Sequence, residues 1–277
     1  MATELGRRVV SGLVMAAVVL AATWAGGVAF RSLAATIALL VYFEWSTITR
    51  LTERNFTGNL VGWVGIILLS ANIAFGDADM NMPFLGGLAI TMLLIVAIGG
   101  GTWWLPGGVV YAGLSGVSLA AIRDGGFAGL AAILFVFAVV WATDILAYFI
   151  GRALKGPKLA PRISPGKTWS GAIGGTVSAI IAGCLVGLAV TGIVSVWLAA
   201  VALVLSVASQ IGDLFESFIK RRFAVKDSSQ LIPGHGGVMD RVDGLVFACF
   251  AIFLLALAYD AWSGHVGTSV GEFIFGL

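Results

Sequence analysis

The residues best equipped for chemistry in this chain are crowded into Ser217 to Asp243, which reads SFIKRRFAVKDSSQLIPGHGGVMDRVD. Cations, carboxylates, a histidine and a tight glycine and proline turn sit there between two long apolar segments. Lys220, Arg221, Lys226 and Arg241 suit phosphate oxygens, Ser217 suits a hydrogen bond to one, and Asp227 and His235 suit hydrogen bonding or proton transfer. Gly236 and Gly237, beside His235 in PGHGG, let the backbone turn tightly enough for its N–H groups to line an anion-binding concavity. A lone loop histidine is usually just a solvated side chain. The three glycines around His235, between Asp227 and Asp240, favour a functional role.

Carboxylates recur on three segments. Asp144, in VVWATDILAYFIG, lies six residues before Ile150, about 9 to 10 Å below the expected inner end of its helix. Asp213 lies seven residues before Lys220. Asp213, Glu216, Ser217 and Lys220 follow i, i+3, i+4, i+7 spacing, which predicts one polar stripe on a helix. Asp240 and Asp243, three apart in VMDRVDG, share a face, with Arg241 turned away. A single intramembrane carboxylate is as often a structural hydrogen-bonding group as a ligand, and Glu44 beside Trp45 fits that description. Three aspartate-bearing helix ends near basic loops point instead to metal binding by Asp144, Asp213, Asp240 and Asp243. Oxygen-only donors favour a hard divalent cation, with Mg²⁺ expected and four carboxylates leaving room for a second cation.

The loop from Arg152 to Thr168 carries five basic residues and three prolines and ends in SPGKT. That ending is similar to the tail of a Walker A motif, but the motif's first glycine would fall at Pro161 and no strand is expected before it, so a P-loop is excluded. The remaining reading is a turn opening a helix, with Ser164, Lys167, Thr168 and helix N-terminal amides available to a phosphate.

These residues must be positioned by membrane helices. The 277 residues are 59% hydrophobic and 11% charged, with mean hydropathy +1.02, which excludes an ordinary soluble globule. The chain supplies about nine candidate spans: Val9 to Ala29, Ser32 to Ile48, Leu60 to Phe75, Phe84 to Ile98, Leu105 to Ile122, Phe127 to Ile150, Ser170 to Val194, Val196 to Ile219 and Val242 to Trp262. The fifth is interrupted by glycines and Pro106, and a re-entrant segment fits it nearly as well. With a cytoplasmic N-terminus, nine crossings put all but Arg31 and Arg123 of the 16 basic residues inside. The expected fold is therefore an all-α polytopic membrane protein with about nine transmembrane helices, the first one retained rather than cleaved as a signal peptide. Residues 1–125 form an apolar scaffold, and residues 126–277 form the catalytic region with cytoplasmic loops 151–169 and 220–241. Cys184 and Cys249 lie in apolar spans without metal or disulfide spacing, and no internal repeat suggests a transporter.

Ser217-x-Ile219-Lys220-Arg221, four residues, Lys226-Asp227-x-Ser229, then Ile232-Pro233-Gly234-His235-Gly236-Gly237-Val238-x-Asp240-Arg241-Val242-Asp243 resembles the motif of bacterial phosphatidate cytidylyltransferases, the CDP-diacylglycerol synthases. The resemblance extends upstream through GDLFES and SPGKT to Asp144, covering Val140 to Gly244. It implies that CTP and phosphatidic acid are converted to CDP-diacylglycerol and pyrophosphate, with Mg²⁺, at the cytoplasmic face of the inner (plasma) membrane. CTP, phosphatidic acid and the bilayer are then the partners, nucleic acid is not, and homodimerisation is left open. A CTP-dependent polyprenol kinase and an ion-coupled transporter are the rival readings of the same carboxylates and cations.

Overall fold

The computed structural model describes residues 2–264 and 267–276. Met1, and with it the expected cytoplasmic start, lies outside the described residues, as do the side chains of Arg7 and Arg8. The chain is helical almost throughout, and it forms two compact units.

The first unit comprises the chain up to Ala120 together with Arg222–Arg241. Its helices are α1 (Ala2–Ala25), α2 (Gly27–Ile48), the one-turn α3 (Leu51–Arg54), α4 (Phe56–Phe75), α5 (Asn81–Gly99) and most of α6 (Trp104–Arg123). Gly26 and Gly27, at φ +62° and +47°, separate α1 from α2, a backbone conformation costly for other residues. The fifth span, which a re-entrant segment fitted nearly as well, is α6, a continuous helix of 20 residues, about 30 Å long. Pro106 falls in its first turn, where proline is tolerated. The glycines serve packing instead of breaking the helix. An added Cβ at Gly108 would meet Trp45 Cδ1 at 2.4 Å, one at Gly113 would meet Leu85 at 2.4 Å, and one at Gly116 would meet Ala38 and Ile73 at 3.0 Å. Small residues thus let α2, α4 and α5 close around α6, and 78% of its apolar window is buried.

The second unit comprises Ala121–Arg221 and Val242–Leu277. It contains α7 (Gly126–Leu154), β1 (Lys158–Ala160), β2 (Ser164–Thr168), α8 (Trp169–Thr191), α9 (Val196–Arg222), α10 (Met239–Ser263) and the short α11 (Val270–Phe275). The buried face of α8 is Gly171, Gly175, Ala179, Gly183 and Gly187, a stripe at every fourth residue that brings its backbone against α7. A Cβ on Gly175 would lie 2.6 Å from the Thr143 carbonyl oxygen.

Eight helices among the described residues are long and apolar enough to cross a bilayer, and α1 adds a shorter apolar stretch, Val9–Ala25. The chain is a multi-pass membrane protein. The two basic residues expected outside both donate to backbone carbonyls. Arg31 donates to the oxygens of Ile73, Asn72 and Gly76 at 2.5 to 3.3 Å, capping the end of α4, and Arg123 Nη1 donates to Gly126 O at 3.2 Å.

Candidate active site

Three carboxylates lie within electrostatic reach of one another in the second unit, Asp144 from α7, Asp213 from α9 and Asp243 from α10. Asp144 and Asp213 are electrostatic neighbours, and Lys167 faces both. Asp243 lies within the field of Asp213, Asp144 and Lys220, and its Oδ1 accepts the Gly244 N–H at 2.8 Å. Lys167 Nζ is 2.5 Å from Asp213 Oδ2, and Ser217 Oγ stands 3.5 Å from Asp213 Oδ1. One turn along α9, Lys220 Nζ is 2.5 Å from Oε2 of the buried Glu216. Each acid of the stripe on α9 thus has a cation beside it, Lys167 from β2 for Asp213 and Lys220 for Glu216.

Close helix contacts put these groups together. A Cβ on Gly212, next to Asp213, would lie 2.5 Å from the Asp243 carbonyl oxygen, so α9 and α10 approach most tightly beside the two carboxylates. Beneath them runs a chain of hydroxyls. Thr143 Oγ1 lies 2.9 Å from Ser206 Oγ, which lies 3.1 Å from Thr176 Oγ1, and Gln210 Nε2 donates to Thr176 Oγ1 at 2.9 Å. Thr143 adjoins Asp144, and Gln210 precedes Asp213 by one helical turn, so this layer ties α7, α8 and α9 at that level. Sequence reading missed it, because isolated Ser, Thr and Gln in apolar spans carry no spacing signal. Helix α7 also runs to Leu154, placing Asp144 ten residues, about 15 Å, from its end. An end at Ile150 had implied 9 to 10 Å.

SPGKT is not a turn. It forms β2 of an antiparallel hairpin, with Lys158 opposite Thr168 and Ala160 opposite Ser164; the turn is at residues 161–163. Thr168 is the N-cap of α8, and its Oγ1 accepts the Gly171 N–H at 3.1 Å, so that hydroxyl already serves the helix. The hairpin aims Lys167 at Asp213. Ser164 is half-buried in β2.

In the first unit, the loop leading into α10 folds around two carboxylates. Ile232 N–H donates to Gly236 O at 2.8 Å and His235 N–H to Ile232 O at 2.9 Å, closing the PGHGG turn. Asp240 Oδ2 accepts the N–H groups of Ser228 and Gly237, each at 2.8 Å, and lies 2.8 Å from Ser228 Oγ. Glu44, fully buried in α2, takes the next groups. Its Oε1 accepts from Ser229 Oγ at 2.6 Å and Val238 N at 2.8 Å, and its Oε2 from Met239 N at 2.6 Å and Ser228 Oγ at 2.9 Å. The loop does form a concavity of amides, and the chain's own carboxylates engage those of Gly237, Val238 and Met239. Glu44 was legible in sequence only as a lone buried acid, since its partners lie some 190 positions away.

His235 Nδ1 is 3.0 Å from Ser11 Oγ, which itself donates to Pro233 O at 3.0 Å. An apolar groove of about 890 Å³ lies between α1 and residues 231–238, walled by Val10, Val14, Met15, Leu231 and Ile232. Arg221, Lys226, Asp227 and Arg241 are exposed, and among the described residues no ion pair holds them.

Of the expected site residues, Asp144, Lys167, Asp213 and Asp243 gather in the second unit with Ser217 and Lys220, whereas His235, Gly236, Gly237 and Asp240 share the loop of the first. Among the described residues, no three His, Cys, Asp or Glu side chains close to metal-ligating distance. The chemistry of the second-unit cluster still fits a hard cation. With all groups charged, Asp144, Asp213 and Asp243 against Lys167 leave a net charge of −2. Asp144 accepts no hydrogen bond from any described residue. An uncompensated dianion within membrane helices is costly, and one divalent ion neutralises it.

The comparisons with known proteins extend over nearly all of the chain. The profile of the Cytidylyltransferase family matches residues 6–259. A phosphatidate cytidylyltransferase of Brucella abortus is 43% identical over 93% of this chain and 95% of its own length. The enzymes of the same name from Haemophilus influenzae and Bacillus subtilis are 34% and 32% identical, over 91% and 92% of this chain and 100% and 98% of their own. With its membrane helices, clustered carboxylates and this similarity, the chain belongs to the cytidylyltransferase family.

Proposed function

We propose that the chain is a phosphatidate cytidylyltransferase of the plasma membrane, joining CTP to phosphatidic acid at the cytoplasmic face to give CDP-diacylglycerol and pyrophosphate. An oxygen of the lipid phosphate attacks the α-phosphorus of CTP. That P–O bond forms as the bond to the bridging oxygen of the β-phosphate breaks, and the electron pair leaves with pyrophosphate. A phosphate monoester with a second pKa of about 6 is already an oxyanion at neutral pH, so the attack needs no strong general base. It needs alignment and charge neutralisation.

The observation that carries this reading is the cluster of Asp144, Asp213, Asp243 and Lys167 in a member of this family. Asp144, Asp213 and Asp243 would hold Mg²⁺, with Asp240 on the same helix as Asp243. The bound ion would neutralise triphosphate charge and stabilise the leaving pyrophosphate. Lys167, held beside Asp213 by the hairpin, is placed to orient a phosphate oxygen, and Lys220 offers a second cation. Exposed Arg221, Lys226 and Arg241 supply further charge to anionic substrates. The groove beside the PGHGG loop offers a fatty-acyl chain an apolar wall, and the bias of basic residues toward one side supports the cytoplasmic placement.

Detergent-solubilised protein given phosphatidic acid and CTP labelled at either the α- or the γ-phosphate tests the reaction. Label from the α position should enter lipid and label from the γ position should not. Transfer of γ-label to a polyprenol would overturn the reading in favour of a kinase.

A further inference from the structure

Glu44 lies on α2, far in sequence from every residue with an expected chemical role, yet its carboxylate accepts four hydrogen bonds from the residues that flank the PGHGG turn. We propose that Glu44 is the positioning residue of that loop, a buried internal anion that occupies the concavity of amides and fixes residues 228–239 and the start of α10. The catalytic half of this inference rests on the function proposed above. Glu44 is fully buried, and its two oxygens accept from Ser229 Oγ, Val238 N, Met239 N and Ser228 Oγ at 2.6 to 2.9 Å. Two of these donors are the backbone amides that open α10, where a negative charge is favoured by the helix dipole.

The network continues without a gap. Ser228 Oγ lies between Glu44 Oε2, at 2.9 Å, and Asp240 Oδ2, at 2.8 Å, so its single hydrogen links the two carboxylates. Asp240 in turn holds the N–H groups of Ser228 and Gly237. Gly237 leaves no space for anything else: a Cβ there would sit 2.3 Å from Glu44 Oε1 and 2.0 Å from Ser228 Oγ. The loop that carries His235 and the first residues of α10, Asp240 among them, are therefore tied to α2 through one side chain.

Glu44→Gln is a discriminating change because each carboxylate oxygen faces one backbone N–H and one hydroxyl. In either orientation of the amide, its NH₂ must point at a backbone donor, so at least one amide of the loop loses its acceptor. The test is hydrogen exchange measured by mass spectrometry on the full-length protein in lipid nanodiscs, alongside turnover with α-labelled CTP. The amides of 228–239 should exchange at least tenfold faster in E44Q while those of α4 and α5 are unchanged. Turnover should fall about 100-fold with the KM for CTP within about threefold.

Ser229→Ala removes one bond to Glu44 and should shift both readouts less, in the same direction. The E44Q/S229A double variant should be no worse than E44Q, since both act through one network. If E44Q does not fold, S229A carries the test. Unaltered loop exchange in the variant overturns the proposal, and so does a loosened loop with wild-type turnover. Wild-type protein that makes no CDP-diacylglycerol would overturn the functional reading alone, because the exchange contrast is read independently of activity.

Discussion

Gly237→Ala probes the loop with the smallest perturbation available, one methyl group. Gly237 does not adopt a left-handed backbone, so the effect is steric and not conformational. The new Cβ would lie 2.0 Å from Ser228 Oγ and 2.3 Å from Glu44 Oε1, whereas ordinary contacts begin at 3.4 Å. Both oxygens must move by more than an ångström, which takes the bonds from Ser228 and Ser229 to Glu44 out of range. Two hydrogen bonds to a charged acceptor are worth about 3 to 6 kcal/mol, and each 1.4 kcal/mol is about a factor of ten. The amides of Val238 and Met239 should therefore lose about two to four decades of protection in hydrogen exchange, and incorporation of α-labelled CTP into lipid should fall about 100-fold. Gly86→Ala, where nothing lies within 4 Å of the added methyl, is the control and should change neither. Unchanged exchange at Val238 and Met239 in the Gly237 variant would refute the packing of this loop around Glu44.

Three further outcomes follow from other parts of the molecule. Lys167→Met removes the cation beside Asp213 and should lower kcat/KM by about 10² to 10³, with Lys167→Arg recovering part of it; equal loss in both variants would contradict a role for the charge. Gly108→Ala in α6 drives a methyl into Trp45 and strains the Trp45 Nε1 bond to Trp104 O at 2.8 Å, so thermal unfolding should show a loss of about 1 to 3 kcal/mol. At the C-terminal end, the Ser269 backbone N–H, followed by its hydroxyl, holds the Glu272 carboxyl below the usual glutamate range. A depressed folded-state pKa gives stability that is present above the unfolded value and lost as pH falls through the folded one. Exchange of the α11 amides should thus rise, beyond the intrinsic change, below about pH 4.5, and Glu272→Gln should abolish that pH dependence.

The spans were legible because hydropathy over some twenty residues measures what a bilayer demands, and eight long helices and the apolar part of α1 fall on the nine windows. The re-entrant alternative for α6 rested on glycine as a breaker, while Gly108, Gly113 and Gly116 are the points where Trp45, Leu85 and Ile73 approach. The hairpin at 158–168 was hidden because its short strands lie in a polar loop without alternating apolar residues. At the site, helical spacing was enough to align Asp213, Ser217 and Lys220, but not to pair Lys167 with Asp213, a contact made by the hairpin. Glu44 was the hardest to read, since its carboxylate finds its partners only in the folded chain. Arg31 and Arg123, the two expected exceptions to the charge rule, donate to backbone carbonyls, contacts visible only in three dimensions.

The central claim is that Asp144 and its neighbours hold a divalent cation, and titration of the purified protein with Mn²⁺, read by electron paramagnetic resonance as a stand-in for Mg²⁺, tests it most directly. Wild-type protein should bind the ion, Mg²⁺ should displace it, and Asp144→Asn and Asp213→Asn should each weaken binding at least tenfold while the helical signal is retained. Binding in both variants as tight as in the wild type would contradict the account.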